Sequence, residues 1–231
     1  MESIDNEIQR VVASTKILRL PKQKLATFGV TDIHYYVLTV PAYLSVEENN
    51  KETAIREGRV IAERPRIITP YYLLHTEGFS QSARRYLNIL VEKYGPYVPG
   101  LFYSYRNELK NLSIVAKDLD EVTRDIDEAA TKSGDPLVAI IQGEDELWDV
   151  SLLKLIIEIM RQSFPANSND FISQGLMNID SSGLPLDARL KLEELFVMVK
   201  QGEVEPRELK EELDRWGVFA EYEDRFLAIF G

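Results

Sequence analysis

The chain contains no cysteine. Disulfide frameworks, thiolate nucleophiles, iron–sulfur clusters and zinc fingers are excluded at once. Histidine is scarce, with only His34 and His75. Both precede Gly78-Phe79-Ser80-Gln81-Ser82, a half nucleophile elbow without its second glycine. Hydrolases built on that elbow need a histidine after the serine, so Ser80 reads as a helix cap. A zinc site would need both histidines plus a carboxylate, and no His-Glu-x-x-His pair occurs. Glycine-rich phosphate loops of the common types are missing too. No apolar run approaches the roughly 18–20 residues that a membrane-crossing helix needs. Residues Met1 to Glu7 carry acids and no apolar core. That pattern sets the expectation of no secretory signal and of a cytoplasmic protein.

What is present is ordinary globular material: 45% hydrophobic and 28% charged residues in 231. Net charge is -11, which opposes non-specific attraction to nucleic acid or anionic lipid. The charge is uneven. Residues 1–117 hold 16 Lys and Arg against 12 Asp and Glu, and residues 118–231 hold 11 against 26. An anionic partner is expected to seek the first half. The acidic half is read first as a solvated helical surface.

Hydrophobic spacing gives the elements. A short helix is expected over 2–13, with strands at 33–40 and 59–63 and an extended piece at 66–74 broken by Pro70. The polar run Glu47–Lys51 reads as a loop. Ala83, Tyr86, Leu87, Leu90, Val91 and Tyr94 form one helical stripe, opened by Ser80 and closed by Gly95-Pro96. Leu101–Arg106 alternates as a strand. Leu112–Ala116, a helix capped by Asp118, and Leu137–Ile141 together have the signature of a parallel crossover unit. The helix 151–163 is apolar around most of its circumference and is expected to be core, with Leu155, Ile156 and Ile159 buried. Helices follow at 186–201, 206–216 and 219–230.

Two clusters carry chemistry. Glu144, Asp145, Glu146 and Asp149 follow a strand and precede a helix, where α/β sheets bind ligands. They could hold Mg²⁺ through oxygen ligands. They could equally favour the helix N-terminus, with Asp149 or Ser151 as cap, or face solvent. The second cluster is aromatic and basic. Ten of the eleven tyrosines lie from Tyr35 to Tyr105, with seven arginines in or beside the same region. Arg64 and Arg66, with Tyr71 or Tyr72 and Tyr103 or Tyr105, form the expected binding group. Such residues serve protein interfaces or stack single-stranded bases, or simply build strands with wet hydroxyls.

These readings combine into an α+β fold: a mixed sheet with one parallel crossover, covered by helices. Residues 1–165 would form the main domain, 166–183 a linker and 184–231 an acidic helical segment. The favoured function is a non-enzymatic interaction or regulatory module. It would use the Tyr/Arg surface of the first half to bind a protein partner or a second copy. A Mg²⁺-dependent enzyme at 144–149 is the alternative, and a single-stranded nucleic-acid binder is the third reading.

Overall fold

The structure is a computed structural model that describes residues 4–43, 52–77 and 80–230. The expected loop at Glu47–Lys51 lies outside them. The chain divides into two compact units, Met1–Arg64 with Tyr103–Asn167, and Pro65–Phe102 with Ser168–Gly231. In chain order the first unit begins with α1 (Ile4–Ser14), β1 (Lys16–Arg19), β2 (Thr31–Thr39) and β3 (Thr53–Ala62). The second contributes β4 (Arg66–Ile68), α2 (Pro70–Leu74), α3 (Gln81–Tyr94) and β5 (Gly100–Phe102). The first resumes with β6 (Tyr105–Val115), α4 (Leu119–Ser133), β7 (Val138–Gln142) and most of α5 (Trp148–Ser173). The remaining helices are α6 (Leu186–Gln201), α7 (Pro206–Trp216) and α8 (Phe219–Leu227). No helix among the described residues is long and apolar enough to cross a membrane.

The first unit is α+β around a five-stranded mixed sheet of order β1-β7-β2-β3-β6. Its parallel pair is β2 with β7. The β6–α4–β7 crossover joins strands that run the same way but are not neighbours, because β2 and β3 lie between them. The reason is burial. Val138 to Ile141 are almost fully covered on both faces, which demands a place inside the sheet. One face packs Ile33, Tyr35, Val37, Val60 and Ile141 against Leu152, Leu155 and Ile159 of α5. The other packs Leu38 and Ile140 against Val122 of α4. Asp118 caps α4 by accepting the Glu121 amide at 2.8 Å, and Gly134 closes it in the left-handed region.

The helix α5 differs from expectation in three ways. It starts at Trp148, so Ser151 lies inside it, with its hydroxyl 2.7 Å from Thr15 Oγ1. Only one side of its apolar circumference is covered: Leu155 and Ile159 are buried, Ile156 partly, while Leu153 and Ile157 are exposed. It also continues through Pro165 to Ser173, across the stretch expected as a linker. Polar residues hold that continuation. Asn167 is buried, donates to Leu25 O and Thr27 Oγ1, and accepts the Tyr103 hydroxyl at 2.9 Å.

In the second unit β4 pairs with β5. Pro70 opens α2 rather than interrupting an edge strand, because Thr69 caps it by accepting the Tyr72 amide. A proline suits a first helical turn, where its missing N–H has no intrahelical role. The expected single strand Leu101–Arg106 is split, with β5 ending at Phe102 and β6 beginning at Tyr105. The core joins Tyr72 to Leu192, Phe196, Leu209, Leu213, Trp216, Tyr222 and Phe226. The expected compact packing of the three C-terminal helices is thus present, with α2 as part of it.

Candidate functional site

The six expected Tyr/Arg residues do not form one group within a unit. Arg64, Tyr103 and Tyr105 belong to the first unit; Arg66, Tyr71 and Tyr72 belong to the second. Arg64 lies over Phe28 and Arg66 over Phe102, each 5.6 Å from the ring centroid. Tyr72 is buried against Trp216, ring centroids 4.6 Å apart, and donates to Glu212 at 3.0 Å. Tyr103 and Tyr105 stack on each other. Burial pushes the Tyr103 hydroxyl up to about 12 and raises Tyr105 as well. The Tyr105 hydroxyl is buried with no hydrogen-bond partner among the described residues. Tyr71 sits between His75 and Tyr97. Tyr72 is therefore core, while Tyr103 and Tyr105 are half-buried against each other.

Of the acids at 144–149, three line a cleft of about 390 Å³ beyond the carboxyl ends of β2 and β7. Glu144, Asp145 and Glu146 face it together with Glu7 and Arg10, and Asp149 does not. Asp145 accepts from Thr39 Oγ1 at 2.6 Å, Arg56 Nη1 at 2.7 Å and the Ala42 amide at 3.0 Å. Burial alone would raise its carboxyl, but these hydrogen bonds and the Arg56 charge outweigh it and hold the pKa below the ordinary range. Glu144 pairs with Arg10 and accepts from Ser14. Asp149 accepts the adjacent Val150 amide. Among the described residues no three His, Asp or Glu side chains gather in a group able to hold a metal ion. Each of Glu144, Asp145 and Asp149 is engaged separately, so the cage expected of a Mg²⁺ site is not formed.

The exposed aromatic and basic groups instead meet on α3. Ser80 caps this helix as expected, accepting the Ala83 amide at 3.2 Å. Its stripe is only shallowly covered. Leu87 is buried and Leu90 and Val91 partly so, while Tyr86 is 61% and Ile89 56% exposed. Residues 86, 89 and 93 lie on one flank of the helix, three to four apart. Lys93 sits over the Tyr94 ring at 4.9 Å. Arg84 and Arg85 are exposed and form no ion pair among the described residues. Many other arginines are taken up by acids: Arg19 by Asp127, Arg56 by Asp145, Arg189 by Asp180 and Glu221, Arg225 by Glu193. In a chain with 38 acids and 27 bases, two adjacent unpaired arginines beside exposed rings stand out.

The stripe counts Tyr86 and Tyr94 as apolar residues, and both rings are exposed. The signal that could have found this surface is the pair Arg84-Arg85 set directly before Tyr86. No protein family, curated protein or solved structure matches the chain.

Proposed function

We propose that the protein is a non-enzymatic interaction module whose docking element is α3. The observation that supports this most is the exposure of Tyr86 and Ile89 beside Arg84 and Arg85, which carry no ion pair among the described residues. An amphipathic helix with an apolar flank and a basic edge fits a groove on a partner lined by apolar residues and rimmed by acids. Tyrosine and arginine are the side chains that most often dominate such contacts. The partner is therefore an acidic protein, and its approach is faster at low salt because exposed charges are screened over about 8 Å at physiological ionic strength.

The test is a photo-crosslinking residue placed at Tyr86 in cells that make this protein. Crosslinks to one acidic protein are expected, abolished by Arg84→Glu with Arg85→Glu and unchanged by Arg207→Glu, an exposed change on α7. Crosslinks that survive the double reversal, or none at all, would overturn the reading.

A further inference from the structure

The first unit carries a second exposed apolar surface, on α5 and β6, that the α3 reading does not use. On α5, Leu153, Ile157 and Phe164 are each about half exposed, and Met160 between them is partly so. Their spacing of four, three and four places them in one row along the helix. The row lies beside the buried row of Leu152, Leu155 and Ile159, so α5 is apolar on more of its surface than its own core uses.

The sheet continues this surface. Tyr35 pairs with Gly58, and Gly58 with Leu109; Val37 pairs with Arg56, and Arg56 with Leu112; Thr39 pairs with Ala54, and Ala54 with Ile114. Residues directly opposite one another share a face. Tyr35 and Val37 point into the core that α5 covers, so Leu109, Leu112 and Ile114 lie on that same face. They are nevertheless exposed, at 47%, 53% and 50%. Arg56, the neighbour of Leu112, stacks on Trp148 at the start of α5, so both rows lie on the side of the sheet that α5 covers.

The exposed area is large for a face without a purpose. At roughly 80–100 Å² apiece, these six residues present about 500–600 Å² of apolar surface, a patch size that marks interaction sites. Two such patches together approach the roughly 1,200 Å² at which specific protein interfaces begin.

We propose that this face pairs with a second copy of the chain about a two-fold axis. The spacing of the α5 row, four, three and four, is the same in both directions. An antiparallel α5 from the second copy sets Leu153 against Phe164 and Ile157 against Met160, twice over. Such self-complementarity is what a two-fold interface requires. The basic residues at the margin are already engaged within their own chain: Lys154 donates to Val12 O and Thr15 O, and Arg161 pairs with Glu158. The β6 row extends the interface toward the sheet edge. There the bulge around Lys110 works against simple strand-to-strand pairing, so the contact is made through the face and not the edge.

Sedimentation velocity on the full chain, from about 1 to 100 µM, tests this. A dimer is expected, weakened roughly tenfold or more by Ile157→Asp and by Leu112→Asp, and unaffected by Arg85→Glu on α3. A monomer throughout, or a dimer indifferent to both α5 and β6 substitutions, would overturn it. Because the chain has no cysteine, a second measurement covers the case where Ile157→Asp unfolds the protein. In Ile157→Cys, a short bis-maleimide should give covalent dimers. A sedimenting dimer that yields no such product would overturn the proposal. Neither result bears on α3, whose docking is read by the Tyr86 crosslinks.

Discussion

The helices α3 and α4 are written alike, and their surroundings treat them differently. Each runs 14 or 15 residues from a side-chain cap, Ser80 in one and Asp118 in the other, with a regular apolar stripe. Each is followed by a glycine at positive φ. In α4 the stripe meets Leu38 and Ile140 on the sheet and buries Val122. In α3 it meets little beyond α2 and leaves Tyr86 in solvent, and Ile89, off the stripe, is exposed as well. Isolated helices of this length are marginal in water, so tertiary contact decides how firmly each is held. The local sequence makes the helix; coverage of the stripe is a property of what lies beside it. An uncovered stripe with unpaired arginines is where a partner belongs.

The contrast between covered and uncovered side chains is sharpest within α5. Leu155→Ala should destabilise by about 2–5 kcal/mol, from lost transfer energy plus a cavity. Leu153→Ala, two residues earlier but 55% exposed, should change stability by less than about 1 kcal/mol in the monomer. Urea unfolding at low protein concentration checks both, and equal losses would erase the distinction.

Next in size is Arg56→Ala. It removes a donor from Asp145 in a pair whose side chains are only 11% and 18% exposed, at about 1–3 kcal/mol. The pH dependence has a definite sign. A carboxyl held below its unfolded-state pKa contributes stability that is present at neutral pH and lost as pH falls through the folded value. Asp145 is such a group. The wild type should lose stability on acidification below the ordinary carboxylate range, and Arg56→Ala should lose less over the same interval. Parallel acid melting curves would contradict the role given to the pair.

The caps give a finer comparison. Asp118→Ala should cost about 1 kcal/mol, because α4 is part of the first unit's core. Ser80→Ala should move global stability by only a few tenths, since a helix with few tertiary contacts opens locally before the chain unfolds. The smallest effects are expected at Tyr86→Ala and Ile89→Ala, within about 0.5 kcal/mol. If these two instead destabilise like Leu155→Ala, the face is core and not a docking surface.

The sequence made the local chemistry legible. Ser80 and Asp118 are readable as caps, Gly95 as a stop, and Leu137–Ile141 as an apolar strand, because each depends on a few adjacent residues. Three features depended on distant partners and were not readable. Pro165 looked like the start of a linker, but Asn167 beyond it is held by Leu25, Thr27 and Tyr103. The crossover itself is as expected, but no local feature says that β7 pairs with β2, with β2 and β3 lying between it and β6. The Tyr/Arg group was assembled by proximity in sequence, whereas Tyr72 and Tyr103 are fixed by Glu212 and Asn167 far along the chain. The acids at 144–149 were placed correctly beyond a strand end, yet nothing local revealed that Arg56 and Thr39 would engage Asp145.

Hydrogen exchange on the free monomer compares the two helices most directly. Amide protection tracks local opening, which is governed by buried contacts. With α3 uncovered, its amides should exchange by local opening at least about a hundredfold faster than those of α4, the equivalent of roughly 2.7 kcal/mol less protection. Equal protection of α3 and α4 in the monomer would mean that α3 is already fully held, and would contradict its assignment as the element awaiting a partner.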